Sequence, residues 1–438
     1  MMLTLSAISP DNLEIKRVFR ALGQGSTSSK ESFPSSPRTP IRERFHPLSK
    51  SVIAKDLPKV YSLPWKPQPG GRYVPNQEYC TAYPYVADLA AELPVSSKEL
   101  YILADGDHFG NGVINVYEDN ENKLVGSDIF VDVKMYYDNP IAVKMTDISY
   151  VHSMKNENGV RITTSPAISL EPVHRYISIN VRIPRSTGSE PLSLPAFRTH
   201  LPNFTHTIGE LGGIAQFQSI TLSSADKAII VKSLSAQRIR LRTTNGSIEG
   251  SFSSNQHISL RTVNAPISAD IVLTNNGEGW TGLEMLSSNA EISASMALES
   301  TAPKGKIPSF RVLAKSSNKT VNLKAVSSPL KANTQMEIQT SNAPATFRLP
   351  ASYEGKFDLH STPFKPVVNV NEDVKDPAGL ERKREVHNDR SRRGLLSGSI
   401  SWVEDEHSEG AVGHEAPSKG TMSKVSIKTS NAEAHVFL

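Results

Sequence analysis

Short runs of apolar and β-branched residues recur through this chain with a period of two. Val113-Ile114-Asn115-Val116-Tyr117 is one such run, and Asp128-Ile129-Phe130-Val131-Asp132-Val133-Lys134-Met135-Tyr136 is another. That period sends alternate side chains to opposite faces of a strand. The Asp119-Asn120-Glu121-Asn122 turn between them predicts a hairpin. Further strands are predicted over 160–164 and over 176–183, where Pro184 ends the run. Residues 194–202, bounded by Pro195 and Pro202, read instead as a loop crossing one end of the body. No helical period is visible from 99 to 360, so the fold class expected is all-β.

From Ile220 the chain repeats itself. The unit is Ser or Thr, any residue, Asn, a small residue, any residue, then an apolar one. It occurs at Thr243-Thr244-Asn245-Gly246-Ser247-Ile248, at Thr262-Val263-Asn264-Ala265-Pro266-Ile267 and at Ser287-Ser288-Asn289-Ala290-Glu291-Ile292. Looser copies centre on Asn318 and Asn342, and a last one on Asn431. The asparagines are 19, 25, 29, 24 and 89 residues apart. Periods of about 20–30 residues indicate stacked supersecondary units. With two short strands per unit, the expected architecture is a β-solenoid, a β-helix-like stack whose neighbouring rungs together bury a core that one rung cannot. An antiparallel β-sandwich with ordinary Asn turns is the alternative. Asn245, Asn264, Asn289, Asn342 and Asn431 are the predicted structural residues of the repeat. At corners they are suited to the left-handed backbone region, and equal corners let their amides stack in a ladder.

Composition divides the chain. Residues 1–72 hold 12 Lys and Arg against 5 Asp and Glu, a net of +7 in a chain whose total is +4. The basic pI therefore belongs to the tail. Residues 1–75, rich in Ser and Pro, are expected to be a disordered basic tail. The all-β domain is expected over 98–438, with repeats at 243–345 and 424–438. The charged stretches 366–395 and 404–422 read as flexible insertions that lengthen the last interval, and Trp402 as the residue covering the open end of the stack. The N-terminal residues lack the order of a secretory leader, basic residues first and a long apolar run after. A cytoplasmic location is expected, the alternative being secretion or the cell wall by a non-standard route. Asn203, Asn245 and Asn318 head glycosylation sequons that would report on this. No apolar stretch is long enough for a transmembrane segment.

The single cysteine, Cys80, excludes a disulfide framework and a multi-Cys zinc site. Gly277-Glu278-Gly279-Trp280-Thr281-Gly282 has dinucleotide-site spacing, but it lies between β repeats instead of opening a helix. Asp105-Gly106-Asp107-His108-Phe109-Gly110 begins like a calcium loop, then puts Phe109 and Val116 where ligands belong. His200 and His206 have no partner motif for a metal, and Ser224-Ala225-Asp226-Lys227 lacks the context of an acyl-transfer site. Catalytic, cofactor-binding and metal residues are therefore expected to be none. The residues singled out for binding are Arg238, Arg240, Arg242 and Arg261, a stripe suited to an anionic ligand.

The segments LPAFRTHLPNF, FQSITLSSADKAIIVKSLSA, TTNGSIEGSF, SLRTVNAPISADIVL, TSNAPATFRLPASYEGKFDL, DPAGLERKRE, GSISWV and VSIKTSNAEAHVFL together resemble a fungal, chiefly basidiomycete, domain family of unknown function. The resemblance covers about residues 98–438. That family is similar to adhesin-like domains with β-helical repeats. The resemblance implies a solenoid, and it implies no activity, ligand or catalytic residue.

The sequence thus points to a non-enzymatic interaction or scaffold protein that presents a rigid β-solenoid surface to an unknown protein or glycan. A carbohydrate-active enzyme of the β-helix type is the alternative. Nucleic acid is not an expected partner of the folded domain, and an open solenoid end would suit a homodimer.

Overall fold

The computed structural model describes residues 59–68, 83–106, 111–119, 128–153, 155–165, 173–186, 188–404 and 423–438. In chain order the strands are β1 (Lys59–Ser62), β2 (Lys66–Gln68), β3 (Tyr85–Pro94), β4 (Glu99–Gly106), β5 (Gly112–Glu118), β6 (Asp128–Tyr137), β7 (Thr146–Ser153), β8 (Glu157–Thr164), β9 (Arg175–Ile183), β10 (Leu192–His200), β11 (Phe204–Glu210), β12 (Ala215–Ser223), β13 (Ile229–Arg242) and β14 (Ile248–Ser254). They continue as β15 (His257–Arg261), β16 (Ile267–Asn275), β17 (Thr281–Leu286), β18 (Ile292–Ser300), β19 (Ser309–Lys315), β20 (Val321–Ser327), β21 (Asn333–Thr340), β22 (Ala345–Arg348), β23 (Gly355–Ser361), β24 (Val367–Asn369), β25 (Lys383–Arg392), β26 (Leu395–Val403), β27 (Lys424–Thr429) and β28 (Ala434–Phe437). Among the described residues one short helix, α1 (Ile141–Lys144), interrupts them.

The strands form two ladders. The first runs β1-β7-β8-β4-β10-β12-β13-β15-β17-β19-β21-β27-β23-β26-β25. The second runs β2-β3-β6-β9-β5-β11-β13-β14-β16-β18-β20-β22-β28-β24. Strand β13 is long enough to serve both. From β12 to β22 the chain visits the ladders in turn, so each rung contributes one strand to each. All pairs between β10 and β22 are parallel. Parallel stacking of this kind is the solenoid arrangement and not the antiparallel sandwich.

Alternation builds the core. In the first ladder two inward columns stack in register, Ile220-Ile239-Ile258-Leu283-Val312-Met336 and Leu222-Leu241-Leu260-Met285-Ala314-Ile338. The second ladder answers with Ile248-Ile267-Ile292-Val321-Ala345. All of these side chains are buried in one cluster. A fully buried aliphatic side chain contributes about 1.5–3 kcal/mol, against about 1–2 kcal/mol of backbone entropy for each residue ordered. A lone rung, half of whose residues face water, stays near zero on that comparison. Stacking covers both of its edges.

Several expectations are corrected. Strand β5 does not pair with β6; it lies between β9 and β11, and β6 lies between β3 and β9. Residues 194–202 are not a loop for most of their length. Strand β10 takes Leu194 and Phe197 inward, and it pairs with β4 and β12 despite Pro195, whose missing N–H costs one ladder bond. Of the tail expected over 1–75, residues 59–68 carry β1 and β2, the outermost strands at one end of both ladders. Their own exposure hides them from a hydropathy reading, since every residue of β1 is exposed. The expected insertion over 366–395 contains β24 and β25. The charged β25 edge strand pairs along its length with β26, so its polar side chains blunt the ladder's end. Trp402 sits on the inner side of β26, buried, its indole N–H donating to the Ala351 carbonyl at 3.1 Å and its ring under the Arg384 guanidinium. Residues 1–58, residues 69–75 and all of 404–422 but residue 404 lie outside the described residues.

Candidate functional site: a polar corner and a basic face

The corner of each rung is made by the repeated motif. The Ser or Thr that opens it is buried and donates its hydroxyl to a neighbouring rung: Thr243 Oγ1 to the Ala225 carbonyl (3.2 Å), Thr262 Oγ1 to the Gly246 carbonyl (3.2 Å) and Ser316 Oγ to the Ala290 carbonyl (3.0 Å). Two residues on, the Asn side chains face solvent and link to one another. Asn264 Nδ2 donates to Asn245 Oδ1 (2.8 Å), Asn289 to Asn264 (2.7 Å), Asn318 to Asn289 (2.7 Å), Asn342 to Asn318 (2.7 Å) and Asn431 to Asn342 (2.8 Å). Asn245 Nδ2 in turn donates to Asp226 Oδ1 at 2.6 Å. The left-handed backbone expected for these asparagines is not found: among the described residues, the non-glycine ones with positive φ are Asn156, Lys331 and Glu381. Asparagine is needed at the corner for an amide that both donates and accepts, which few side chains provide.

Ser224-Ala225-Asp226-Lys227-Ala228-Ile229 is the first copy of this corner, with Asp in the Asn position. Ser224 Oγ donates to the Pro202 carbonyl at 3.0 Å, so this serine staples a corner. At the other end Ser361 occupies the buried position beside Thr429, and Pro363 follows where an Asn would extend the ladder. Replacing Asn289 with Ala removes two amide links at once. At about 0.5–1.5 kcal/mol net for each, denaturant unfolding is expected to show a loss of about 1–3 kcal/mol, with the m-value unchanged.

The basic residues sit on the outer face of the first ladder. Arg238, Arg240 and Arg242 take alternate outward positions on β13, and all three are exposed. Register places Arg238 beside Ser219 and His257, Arg240 beside Thr221 and Ser259, and Arg242 beside Ser223 and Arg261. The four arginines therefore lie on two adjacent strands, about 7 Å apart along β13 and about 4.8 Å across to β15. They are not equivalent. Arg261 is held by Glu284 at 2.6 Å and donates through Nε to Ser259 Oγ at 3.2 Å. Among the described carboxylates, none makes an ion pair with Arg238 or Arg242. Burial, and then the three arginines Arg240, Arg261 and Arg238, push His257 below its ordinary value against the opposing pull of Glu284, so it is a neutral neighbour of the cluster. Farther along the same face the basic groups have acidic partners: Arg198 with Glu99 at 3.1 Å, Lys428 with Glu337 at 3.1 Å and Lys424 with Asp358 at 2.7 Å. Sequence reading missed Thr221, Ser223 and Ser259, whose hydroxyls border the arginines; nothing short of strand register brings them there.

The outer face of the second ladder carries a shallow groove of about 610 Å³ lined by Glu249, Ser268, Asp270, Asn322, Lys324 and Arg348 among others. Glu249 pairs with Ser268, and Asp270 with Ser251, so the two carboxylates are diagonal neighbours on β14 and β16. The remaining motifs resolve plainly. His200 is exposed on β10, while His206 is wholly buried on β11 with Nε2 at 2.7 Å from Thr199 Oγ1; the two are not brought together. The glycine-rich run 277–282 is the turn from β16 to β17, tied by Asn275. Residues 107–110 lie outside the described residues.

Comparison with known proteins adds little. No family model matches the chain, so the likeness to a fungal family does not become membership. No curated protein matches it either. Two solved structures are similar in outline. One, described as a candidate cell adhesion protein from Clostridium sporogenes, is 10% identical with a TM-score of 0.18, covering 80% of this chain and 99% of that one. The other, described as a candidate adhesin from Parabacteroides merdae, is 6% identical with a TM-score of 0.26, covering 59% of this chain and 92% of that one. At these scores neither likeness carries an argument about function. No helix among the described residues is long and apolar enough to cross a membrane.

Proposed function

We propose that this chain is a non-enzymatic binding or scaffold protein whose rigid solenoid presents the β13–β15 face to an anionic partner. The supporting observation is the arginine cluster itself: Arg238, Arg240 and Arg242 at strand spacing on one outward face, bordered by hydroxyls. Guanidinium groups in that arrangement favour regularly spaced carboxylates or sulfates, as on an acidic glycan or an acidic extended peptide. A parallel stack holds their backbones fixed, so little ordering entropy is lost on binding. The test is retention on a sulfated polysaccharide matrix by the native chain and by the Arg238→Ala/Arg240→Ala/Arg242→Ala/Arg261→Ala variant. The native chain should elute at higher salt, and the variant should bind at least tenfold more weakly in solution. Equal elution of the two removes the arginine face from the reading.

The groove of Glu249 and Asp270 supports a second reading, a carbohydrate-active enzyme, because paired carboxylates flank the bond in most glycoside hydrolysis. Hydrolysis of an oligosaccharide by the native chain that is lost in Glu249→Gln/Asp270→Asn would favour it. We place the protein in the cytoplasm. The Nδ2 atoms of Asn245 and Asn318, which a glycan would modify, already donate within the ladder. Glycosylated protein at the wall or in the medium would overturn that placement.

A further inference from the structure

The order of strands at one end of the stack departs from the order of the chain. Strands β27 and β28 are the last in sequence, yet they are not the last in space. Strand β27 lies between β21 and β23, parallel to both. Strand β28 lies between β22 and β24, again parallel to both. The final rung thus fills a slot between two rungs that precede it in the chain.

The slot is matched on both sides. Val425 sits between Met336 and Phe357, Ile427 between Ile338 and Leu359, and Val436 between Phe347 and Val368. The three inserted side chains are fully buried. The corner also docks as one of the repeat: Asn431 Nδ2 reaches Asn342 Oδ1 at 2.8 Å, and Ser361 Oγ donates to the Ala432 carbonyl at 2.7 Å. At the entry, Ser423 Oγ donates to the Ala332 carbonyl at 2.8 Å and accepts from the Thr334 N–H at 3.1 Å. With the segment out, β21 and β23 would each show an unpaired strand edge, a template for another chain.

The connection is long for its task. Strand β26 runs antiparallel to β23 with Ile400 opposite Gly355, and β27 begins with Lys424 opposite Lys356. Val403 and Lys424 therefore lie toward the same end of the ladder, two strand positions apart sideways and four residues apart along it, about 16 Å. The 19 residues 404–422 between Val403 and Ser423 can span about 60 Å when extended. That length reaches the equivalent slot of a neighbouring copy.

We infer that residues 424–438 are an exchangeable rung, and that the slot accepts the same segment from a second copy of this chain, giving a dimer by rung exchange. Every contact inside the slot is the same whether the segment comes from its own chain or from another, so only the connection distinguishes the two. A connection of this many residues gives an effective concentration of order millimolar, and exchange competes when the protein approaches that value. This dimer differs from one formed by pairing open solenoid ends, where the ends would meet through β1 and β2 or through β24 and β25.

The full-length chain, carrying a protease site within 404–422, is refolded at about millimolar and at about micromolar concentration and sized by light scattering. A discrete dimer should form only at the higher concentration. Cleavage at the site should convert it to monomer-sized particles that retain 424–438, since the copies are joined through the connection alone. Absence of a dimer, or a dimer that survives cleavage, would overturn the inference. Should refolding aggregate the chain, native chains cleaved at the site, one preparation isotopically heavy, are mixed near millimolar concentration without unfolding. Mass spectrometry should then find light 424–438 segments on heavy bodies, and segments that never cross between bodies would sink the idea.

Discussion

Acidifying the protein from pH 6.5 to pH 4 is expected to cost the folded body about 3 kcal/mol through one residue, His206. Its ring lies in the core of β11, fully buried, with Nε2 at 2.7 Å from the Thr199 hydroxyl and Nδ1 at 3.2 Å from the Phe204 carbonyl. Burial disfavours the charged ring and pulls its pKa from the ordinary 6.5 down to about 4, the hydrogen bond to Phe204 opposing only weakly. An unfolded chain takes up a proton near 6.5, and the folded chain resists until about 4. The stability this residue leaves intact is therefore complete above pH 6.5, falls by at most about 1.4 kcal/mol per unit below it, and levels off under pH 4. Other groups also titrate across this window. The measurement is the difference between native protein and His206→Gln, which keeps a polar partner for Thr199 and removes the titration. Denaturant melts at pH 7, 5.5 and 4 should show the native curve falling toward the variant's as the pH drops. Parallel curves would mean that His206 reaches solvent more readily than its burial implies.

Gly250→Ala is expected to destabilise the body by about 4 kcal/mol, combining a strained backbone with a steric collision. Gly250 sits in β14 at φ +143°, and a Cβ there would lie 1.9 Å from the Val231 carbonyl oxygen of β13. Beside it the β13–β14 register shifts between Val231 and Leu234, so the two backbones approach closely where β13 passes between ladders. Neither backbone can yield without breaking the ladder on its far side. Two controls separate the causes. Gly279→Ala, at φ +73° with open space around it, carries backbone strain alone and should cost about 1 kcal/mol. Gly213→Ala, with ordinary φ and nothing within 4 Å, should change little. A Gly250→Ala cost no larger than that of Gly279→Ala would mean that the bulge relaxes.

How far the residues announced this fold depends on whether the signal was local. The Asn corner is local: within four consecutive residues it carries a buried hydroxyl, an exposed amide and a small side chain, so the motif is read directly. Ser224-Ala225-Asp226 has the same arrangement with Asp in the Asn position, and its S-x-x-K spacing to Lys227 hides the likeness. Pairing is not local. The turn residues 119–122 predict a hairpin of β5 and β6, but parallel strands find their partners through register with other rungs, and β5 takes β9 and β11. The edge strands were hidden for a related reason. Strand β25 holds its place by backbone hydrogen bonds and carries mostly polar residues, so its composition resembles that of a linker, while β1 is four residues long and wholly exposed. The arginine cluster was half legible. Alternation put Arg238, Arg240 and Arg242 on one face, while the capture of Arg261 by Glu284 needs the β15–β17 register.

The amide ladder also has a direction. From Asn431 to Asn245 every side chain donates toward the preceding rung, and the last N–H in the row meets the carboxylate of Asp226. Six amide dipoles thus line up along one edge of the body, with a negative charge at their positive end, much as acidic residues sit at the N-termini of helices. No single amide can flip without setting two donors or two acceptors against each other. The row is set as a unit, and its orientation is fixed from the aspartate end, since a carboxylate can only accept.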